Sequence, residues 1–285
     1  MVYYGIVAVA VTMFSIQFLF NQIFEKSYGN GMRAMLVFSG GSNLAGLIVL
    51  LIINKFNFEF TPFSLLMAIL SALNMMAYNY CSLKALGKIN LSLFSVFAML
   101  GGMALPFAVG IIFFNEELTL GKSICFIIIL ASLFLTVKKD NSKSGYIYYA
   151  GIFVLNGLSG VLSTVFQSSD YEKTSAEGYS ILIAVCCCVI SFVLLPFFKP
   201  DSETKLNLKA CMSMAGYGIL SRVANLLLLI ALAYLPASAQ YPFVTGGVMI
   251  LSTVICFFTP EKPNKRDIAA VALSFIGLII LMFVS

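Results

Sequence analysis

Histidine is absent from this 285-residue chain, and only 10% of its residues are charged. The first absence removes imidazole acid–base catalysis and histidine-held metals in one stroke. The second sets the chain apart from soluble domains, where about 25% of residues are charged. With 60% hydrophobic residues and a mean hydropathy of +0.99, the chain reads as an all-α polytopic membrane protein. A third scarcity is positional. All twelve acidic residues, among them Glu25, Glu59, Glu116, Glu117, Asp140, Glu177, Glu261 and Asp267, fall in connections or at the ends of apolar segments. Exchange of a proton for a cationic drug relies on a carboxylate inside the membrane, so this sequence disfavours it.

The seven cysteines lie in or at the ends of apolar runs and make no C-x-x-C pair, which fits small buried residues better than metal or redox chemistry. No cofactor or metal is therefore expected. The net charge of +5 is spread over short loops, so it is not the footprint of a nucleic-acid partner. The expected partners are the lipid bilayer and a small-molecule substrate.

What is present is a series of apolar segments at 3–23, 33–54, 62–83, 90–114, 121–138, 146–167, 178–198, 210–234, 237–258 and 267–284. The first lacks a basic leader region and is long enough to span, so it reads as a retained helix in a multi-pass protein of the cytoplasmic membrane. Ten spans prompt a search for a five-plus-five repeat, here 1–143 and 144–285. Asn79 and Ala85-Leu86 fall on Asn225 and Ala231-Leu232 at a shift of 146. Gly101-Gly102 and Glu116 fall on Gly246-Gly247 and Glu261 at 145. Because five is odd, the second copy enters the membrane upside down, and an inverted repeat places its substrate site near the midplane between halves. Gly101-Gly102 with Pro106, and Pro242 with Gly246-Gly247, offer either kinks or close packing.

The stretch Ala231-Leu232-Ala233-Tyr234-Leu235-Pro236-Ala237-Ser238-Ala239, followed by a span, Glu261 and a last span with Gly277-Leu278, resembles the repeat of the drug/metabolite transporter superfamily, EamA-like type. Ala85 to Ser92, Phe114 to Thr119, and Arg33 at the head of the second segment resemble the first copy. The resemblance implies a ten-helix transporter with a cavity lined by the first, third, fourth, sixth, eighth and ninth segments. It also implies cytoplasmic termini. The basic residues argue the other way, since thirteen lie in the connections after odd-numbered segments against Lys55, Lys122 and Lys173 in the others.

One charge is out of place. Arg222 stands twelve residues from each end of the segment 210–234, about 18 Å at 1.5 Å per residue, beyond the roughly 15 Å half-thickness of a bilayer core. Inserting arginine there costs about 2.5–3.5 kcal/mol, so a polar cavity, a partner or a ligand has to offset it. Asn225 shares the face of Arg222 with Gly218. Further polar faces are Gln17 and Asn21, Asn74 and Tyr78, Asn156 with Ser159, Ser163 and Gln167, and Gln240 with Tyr241 and Thr245. The second, fifth, seventh and tenth segments carry few such groups. Each amide can equally serve interhelical bonding, and Arg222 can be a structural cation capped by backbone carbonyls.

The leading expectation is a non-enzymatic transporter of a small polar metabolite, an amino acid or organic anion, since a guanidinium fork suits carboxylate or phosphate. The alternatives are a flippase for a lipid-linked sugar or other amphiphile, a membrane-embedded enzyme, and a non-transporting scaffold.

Overall fold

The computed structural model describes residues 2–88, 91–113, 120–121, 123–124, 127–128, 131, 146–199, 206–235, 237–259, 262–263 and 265–283. Within these, nine α-helices are formed: α1 (Val2–Tyr28), α2 (Met32–Ile53), α3 (Pro62–Leu86), α4 (Leu91–Phe113), α5 (Tyr146–Ser168), α6 (Ala176–Leu194), α7 (Leu208–Leu232), α8 (Ala237–Phe257) and α9 (Lys265–Phe283). Among the described residues there is no strand. Six of the helices (α1, α2, α3, α5, α6 and α7) are long and apolar enough to cross a membrane. The protein is therefore a multi-pass, all-helical membrane protein. Most of the segment expected at 121–138, and the acidic residues Glu116, Glu117 and Glu261, lie outside the described residues.

Local chemistry sets the helix ends. Thr61 begins α3 by accepting the Ser64 amide at 3.2 Å, with Pro62 in the first turn. Ser175 caps α6 by accepting the Gly178 amide at 3.1 Å, and Asn207 caps α7 through the Ala210 amide at 2.8 Å. Gly29 turns the chain out of α1 at φ 109°, a conformation that suits a residue without Cβ. Apolar periodicity foresaw the cores of these helices but not their ends. α1 runs five residues past its expected end at 23, where Phe24 packs on Phe38 at 4.7 Å between ring centroids. Beyond α6, Pro196 lies in a 3-10 turn, Leu195–Phe197, whose end is held by Arg33. The Arg33 Nη1 donates to the Phe198 carbonyl at 2.7 Å and the Leu195 carbonyl at 3.4 Å.

The packing has a definite pattern. α1 lies against α7, α3 against α5 and α6, α4 against α5 and α8, α1 against α8, and α2 against α6 and α7, while α9 rests mainly on α8. Lipid tails are as apolar as leucine, so close fit has to hold such helices together. Small residues provide it. A Cβ on Gly101 would collide with the Phe153 carbonyl, and one on Gly157 would meet the Gly101 carbonyl at 2.5 Å, so α4 and α5 cross almost backbone to backbone. A Cβ on Gly218 would collide with the Ser42 carbonyl, and one on Gly46 would meet the Gly218 carbonyl at 2.8 Å, which draws α2 and α7 together. For Gly101-Gly102 the structure thus favours close packing over a free hinge.

Gly101→Ala should therefore lower the thermal unfolding temperature of the detergent-solubilised protein, at a cost of about 1–3 kcal/mol for forced overpacking. Gly5→Ala, where an added Cβ meets nothing within 4 Å, should leave it unchanged. Equal melting of the two variants would show that the close crossing does not matter.

Candidate functional site

Helices α1, α3, α4, α5, α6, α7 and α8 surround one cavity of about 200 Å³, and Arg222 is part of its lining. Arg222 is 5% exposed. The close α2–α7 crossing at Gly46 and Gly218 leaves its side chain running beside α2, where it meets Asn43. The guanidinium Nε donates to the Asn43 carboxamide oxygen at 2.8 Å, and Nη2 donates to the same oxygen. Nη2 also faces two soft, weak acceptors, Met75 Sδ at 3.2 Å and Cys187 Sγ at 3.6 Å. Asn43 is itself fixed, because its amide nitrogen donates to the Ser39 carbonyl at 2.8 Å.

A guanidinium carries five N–H donors. Asn43 and the two sulfurs use those of Nε and Nη2, and Nη1 has no acceptor among the described residues. Among the described residues no carboxylate lines the cavity either. Of the two readings of Arg222, the alternative of capping by backbone carbonyls does not describe its contacts: the cation is held by a side-chain amide, and part of its donor fork is unused among the described residues. Asn43 is the correction here. It belongs to a helix read as poor in polar groups, and its only signal in the sequence is an asparagine among Ser39, Ser42 and small residues.

Nine of the eleven residues expected at the site line this cavity: Arg222, Asn225, Gln17, Tyr78, Asn156, Ser159, Ser163, Gln240 and Tyr241. Asn225, one turn beyond Arg222, bonds the Ser221 carbonyl at 2.7 Å. Asn156 donates to the Ala98 carbonyl on α4, and the Tyr241 hydroxyl reaches the Gly160 carbonyl at 3.5 Å. Gln240 donates to the Leu228 carbonyl at 2.9 Å, which leaves its own carbonyl oxygen buried and unpartnered. Gln17, 5% exposed, likewise has a buried carboxamide oxygen without a partner among the described residues.

Two expected residues fall outside the cavity lining. Asn21 donates to Ser82 at 3.1 Å, tying α1 to α3. Asn74 donates to the Leu155 carbonyl at 2.9 Å and to Ser159 at 2.8 Å, tying α3 to α5. Both act as interhelical links. Gln167, at the end of the expected α5 stripe, is also absent from the lining, and its backbone carbonyl accepts from Lys173. Conversely, α6 contributes more than its apolar sequence led one to expect. Its Tyr179 reaches the cavity with the hydroxyl 2.8 Å from Ser71, its ring stacked on Phe166 at 3.8 Å, and Ser180 lies beside it.

If Asn43 is the group that holds the cation, Asn43→Ala should destabilise the protein by about 1.5–3 kcal/mol, the range for a hydrogen bond to a charged group. In a double-mutant cycle, adding Arg222→Met should recover part of that loss, because the stranded charge goes with it. Strictly additive losses in thermal unfolding would mean that the two side chains do not depend on each other.

No family model and no curated protein matches this chain. Solved structures do share its fold. One, described only as a crystal structure of a protein, superposes with a TM-score of 0.68 at 14% identity, covering 99% of this chain and 97% of that chain. The likeness concerns the helical fold alone.

Proposed function

We propose that the protein carries a small polar metabolite, an amino acid or organic anion, across the cytoplasmic membrane. It does so by alternating access between two inverted halves, as in the drug/metabolite transporters its sequence resembles. The observation that carries this reading is Arg222: a cation at the centre of α7, facing a polar cavity, without a carboxylate partner among the described residues. A scaffold gains nothing from a charge so placed, and the cavity has neither histidine nor paired acids for catalysis.

Support for two related halves comes from contacts that repeat under the sequence shift. Tyr3 stacks on Tyr234 at 4.3 Å, and 145 and 146 residues away the Lys88 ammonium lies 5.4 Å from the Tyr148 ring centroid. Tyr4 meets Phe243 at 6.2 Å, and Tyr149 meets Phe97 at 5.4 Å. An added Cβ on Gly102 would meet Asn156, and one on Gly247 would meet Val11, again with both partners 145 apart. The helix pairs exchange in the same way, α1–α7 with α5–α3 and α1–α8 with α5–α4.

Direction adds to this. The pairs Gly101 with Phe153, Gly102 with Asn156 and Gly160 with Pro106 advance together, so α4 and α5 run parallel. A chain leaving α4 has to return to the side where α4 began before it can start α5. One further crossing does this, and 121–138 is the apolar segment available for it. That count supports the reading of ten spans and an inverted second half.

In liposomes, the purified protein should take up a labelled amino acid or organic acid, and Arg222→Ala should reduce flux at least about tenfold while remaining monodisperse. Flux unaffected by Arg222→Ala, alongside lowered thermal stability, would make Arg222 a structural cation. Conversion of the solute to a new compound would sink the transport reading.

Rocking of the halves has its own test. In a cysteine-free background, a short bis-maleimide across Tyr3→Cys and Tyr234→Cys, or across Lys88→Cys and Tyr148→Cys, should stop flux in each case. If flux continued with either end tied, the halves would not move as proposed.

A further inference from the structure

Resting on the transport reading, we propose that the two mouths of the cavity are unequal: a polar latch, Asn21 on Ser82, holds one shut, and the empty carrier rests open at the other. The two ends of the bundle can be told apart. Tyr3 on Tyr234, Tyr4 on Phe243 and Phe63 on Phe166 set the starts of α1, α3 and α8 beside the ends of α7 and α5. Lys84 on Asn30 marks the opposite end, where α1 and α3 finish. The cavity wall reaches the first end. It includes Leu228 and Leu232 in the last turns of α7, Tyr179 in the first turn of α6 and Gln240 in the first turn of α8. Toward the second end it stops at Phe18, Tyr78 and Tyr217.

Behind those three residues lies a shut layer. Asn21, Asn79, Ser82 and Phe94 are fully buried and outside the cavity wall. The Asn21 amide donates to the Ser82 hydroxyl at 3.1 Å, from α1 to α3, and the Tyr217 hydroxyl donates to Asn79 at 3.4 Å, from α7 to α3. Phe18 meets Phe94 edge-on at 5.1 Å, which joins α1 to α4. Farther out is a charged clasp. Lys84 donates to Asn30 at 3.3 Å and Asn30 to Glu25 at 3.0 Å, close over Gly87, where a Cβ would meet the Asn30 amide nitrogen at 2.6 Å.

The first end has the corresponding helices without these bonds. On the proposed two-fold relation α5, α7 and α8 take the places of α1, α3 and α4. Among the described residues α1 packs on both α3 and α4, whereas α5 packs on neither α7 nor α8, and the Tyr241 hydroxyl reaches across from α8 to α5. A shift of 146 sets Gln167 against Asn21 and Leu228 against Ser82. The Gln167 side chain has no hydrogen-bond partner among the described residues, and a leucine side chain has none to offer. The clasp is lost as well, since Tyr171, Ala176 and Ile230 stand against Glu25, Asn30 and Lys84. Two bonds at this end, Ser175 amide to Glu59 at 2.6 Å and Thr174 amide to Ser64 at 3.0 Å, tie the neighbours α3 and α6 along one wall and do not span the mouth. An interhelical hydrogen bond inside a membrane shifts a two-state equilibrium by about three- to thirtyfold. Ring contacts recur at both ends, so both states can form. Hydrogen bonds recur at neither, so the state with the latched mouth shut is the more populated.

The test uses two reporters 146 residues apart, Leu232 in the open mouth and its counterpart Leu86, which is buried beyond the latch. In a cysteine-free background, Leu232→Cys and Leu86→Cys are each labelled with a membrane-impermeant maleimide in lipid nanodiscs, where both ends are exposed to reagent. Leu232→Cys should react at least about tenfold faster than Leu86→Cys. Adding Asn21→Val should speed labelling of Leu86→Cys about three- to thirtyfold and slow that of Leu232→Cys. Adding Gln167→Val should change neither rate. A general loosening of the fold would speed both cysteines together, so the opposite signs isolate the latch. The proposal is overturned if the two cysteines react alike with the latch intact, if Asn21→Val leaves Leu86→Cys unchanged or speeds both, or if Gln167→Val acts as Asn21→Val does. Uptake by liposomes in any of these cases would keep the transport reading and remove only the latch. The expected labelling without uptake of any solute would keep the unequal mouths and remove the transport reading.

Discussion

A guanidinium at mid-membrane has to be surrounded by something other than lipid, and much of this architecture follows from how that is done. The cost of placing arginine there, about 2.5–3.5 kcal/mol, is too large to ignore and too small to forbid. A carboxylate partner would lower it most directly, and among the described residues none lines the cavity. Instead α2 is drawn against α7 so that Asn43 can present an amide oxygen. That approach requires Gly46 and Gly218 at the crossing, because a Cβ on either would strike the opposite helix or the arginine itself. An amide satisfies hydrogen-bond geometry without cancelling charge. The cavity therefore keeps its positive potential, which a carboxylate would have removed.

On the proposed two-fold relation, the repeated contacts and the unrepeated ones divide by role. Ring contacts near the helix ends recur in both halves, as do the close passages of Gly102 and Gly247. The residues around the centre do not recur. A shift of 145 or 146 sets Met76 against Arg222, Cys188 against Asn43, Leu162 against Gln17 and Val11 against Asn156. Packing has to be matched at both ends if two halves are to rock between equivalent states. A ligand has no such symmetry, and its site has to be lopsided even when the scaffold is not.

The sequence made the helices and most of the cavity legible because both rest on local signals: apolar runs, and polar groups at helical spacing within them. Arg222 stood out through its depth, and the α5 stripe of Asn156, Ser159 and Ser163 through its period. What failed to show was partnership between helices. Asn21 and Asn74 have the same spacing credentials as Gln17, yet Ser82 and Leu155 claim their donors. Asn43 and Tyr179 matter because of neighbours more than a hundred residues away, Arg222 and Ser71. Capped ends and the 3-10 turn after α6 depend on one or two hydrogen bonds that a periodicity of apolar residues does not encode.

Soft neighbours of the cation fit the same logic. Met75 and Cys187 place sulfur, not oxygen, beside Nη2. Sulfur is a weak acceptor, so it limits how far the unneutralised charge is lowered in energy while still filling the space densely. A stronger acceptor at either position would hold the guanidinium more tightly against α2 and α6 and leave less of its field for the cavity. On the proposed transport reading, a carrier has to bind and then release, so its central charge should be anchored on one side and under-satisfied on the other. Asn43 supplies the anchor here, and the bare Nη1 is the side left open.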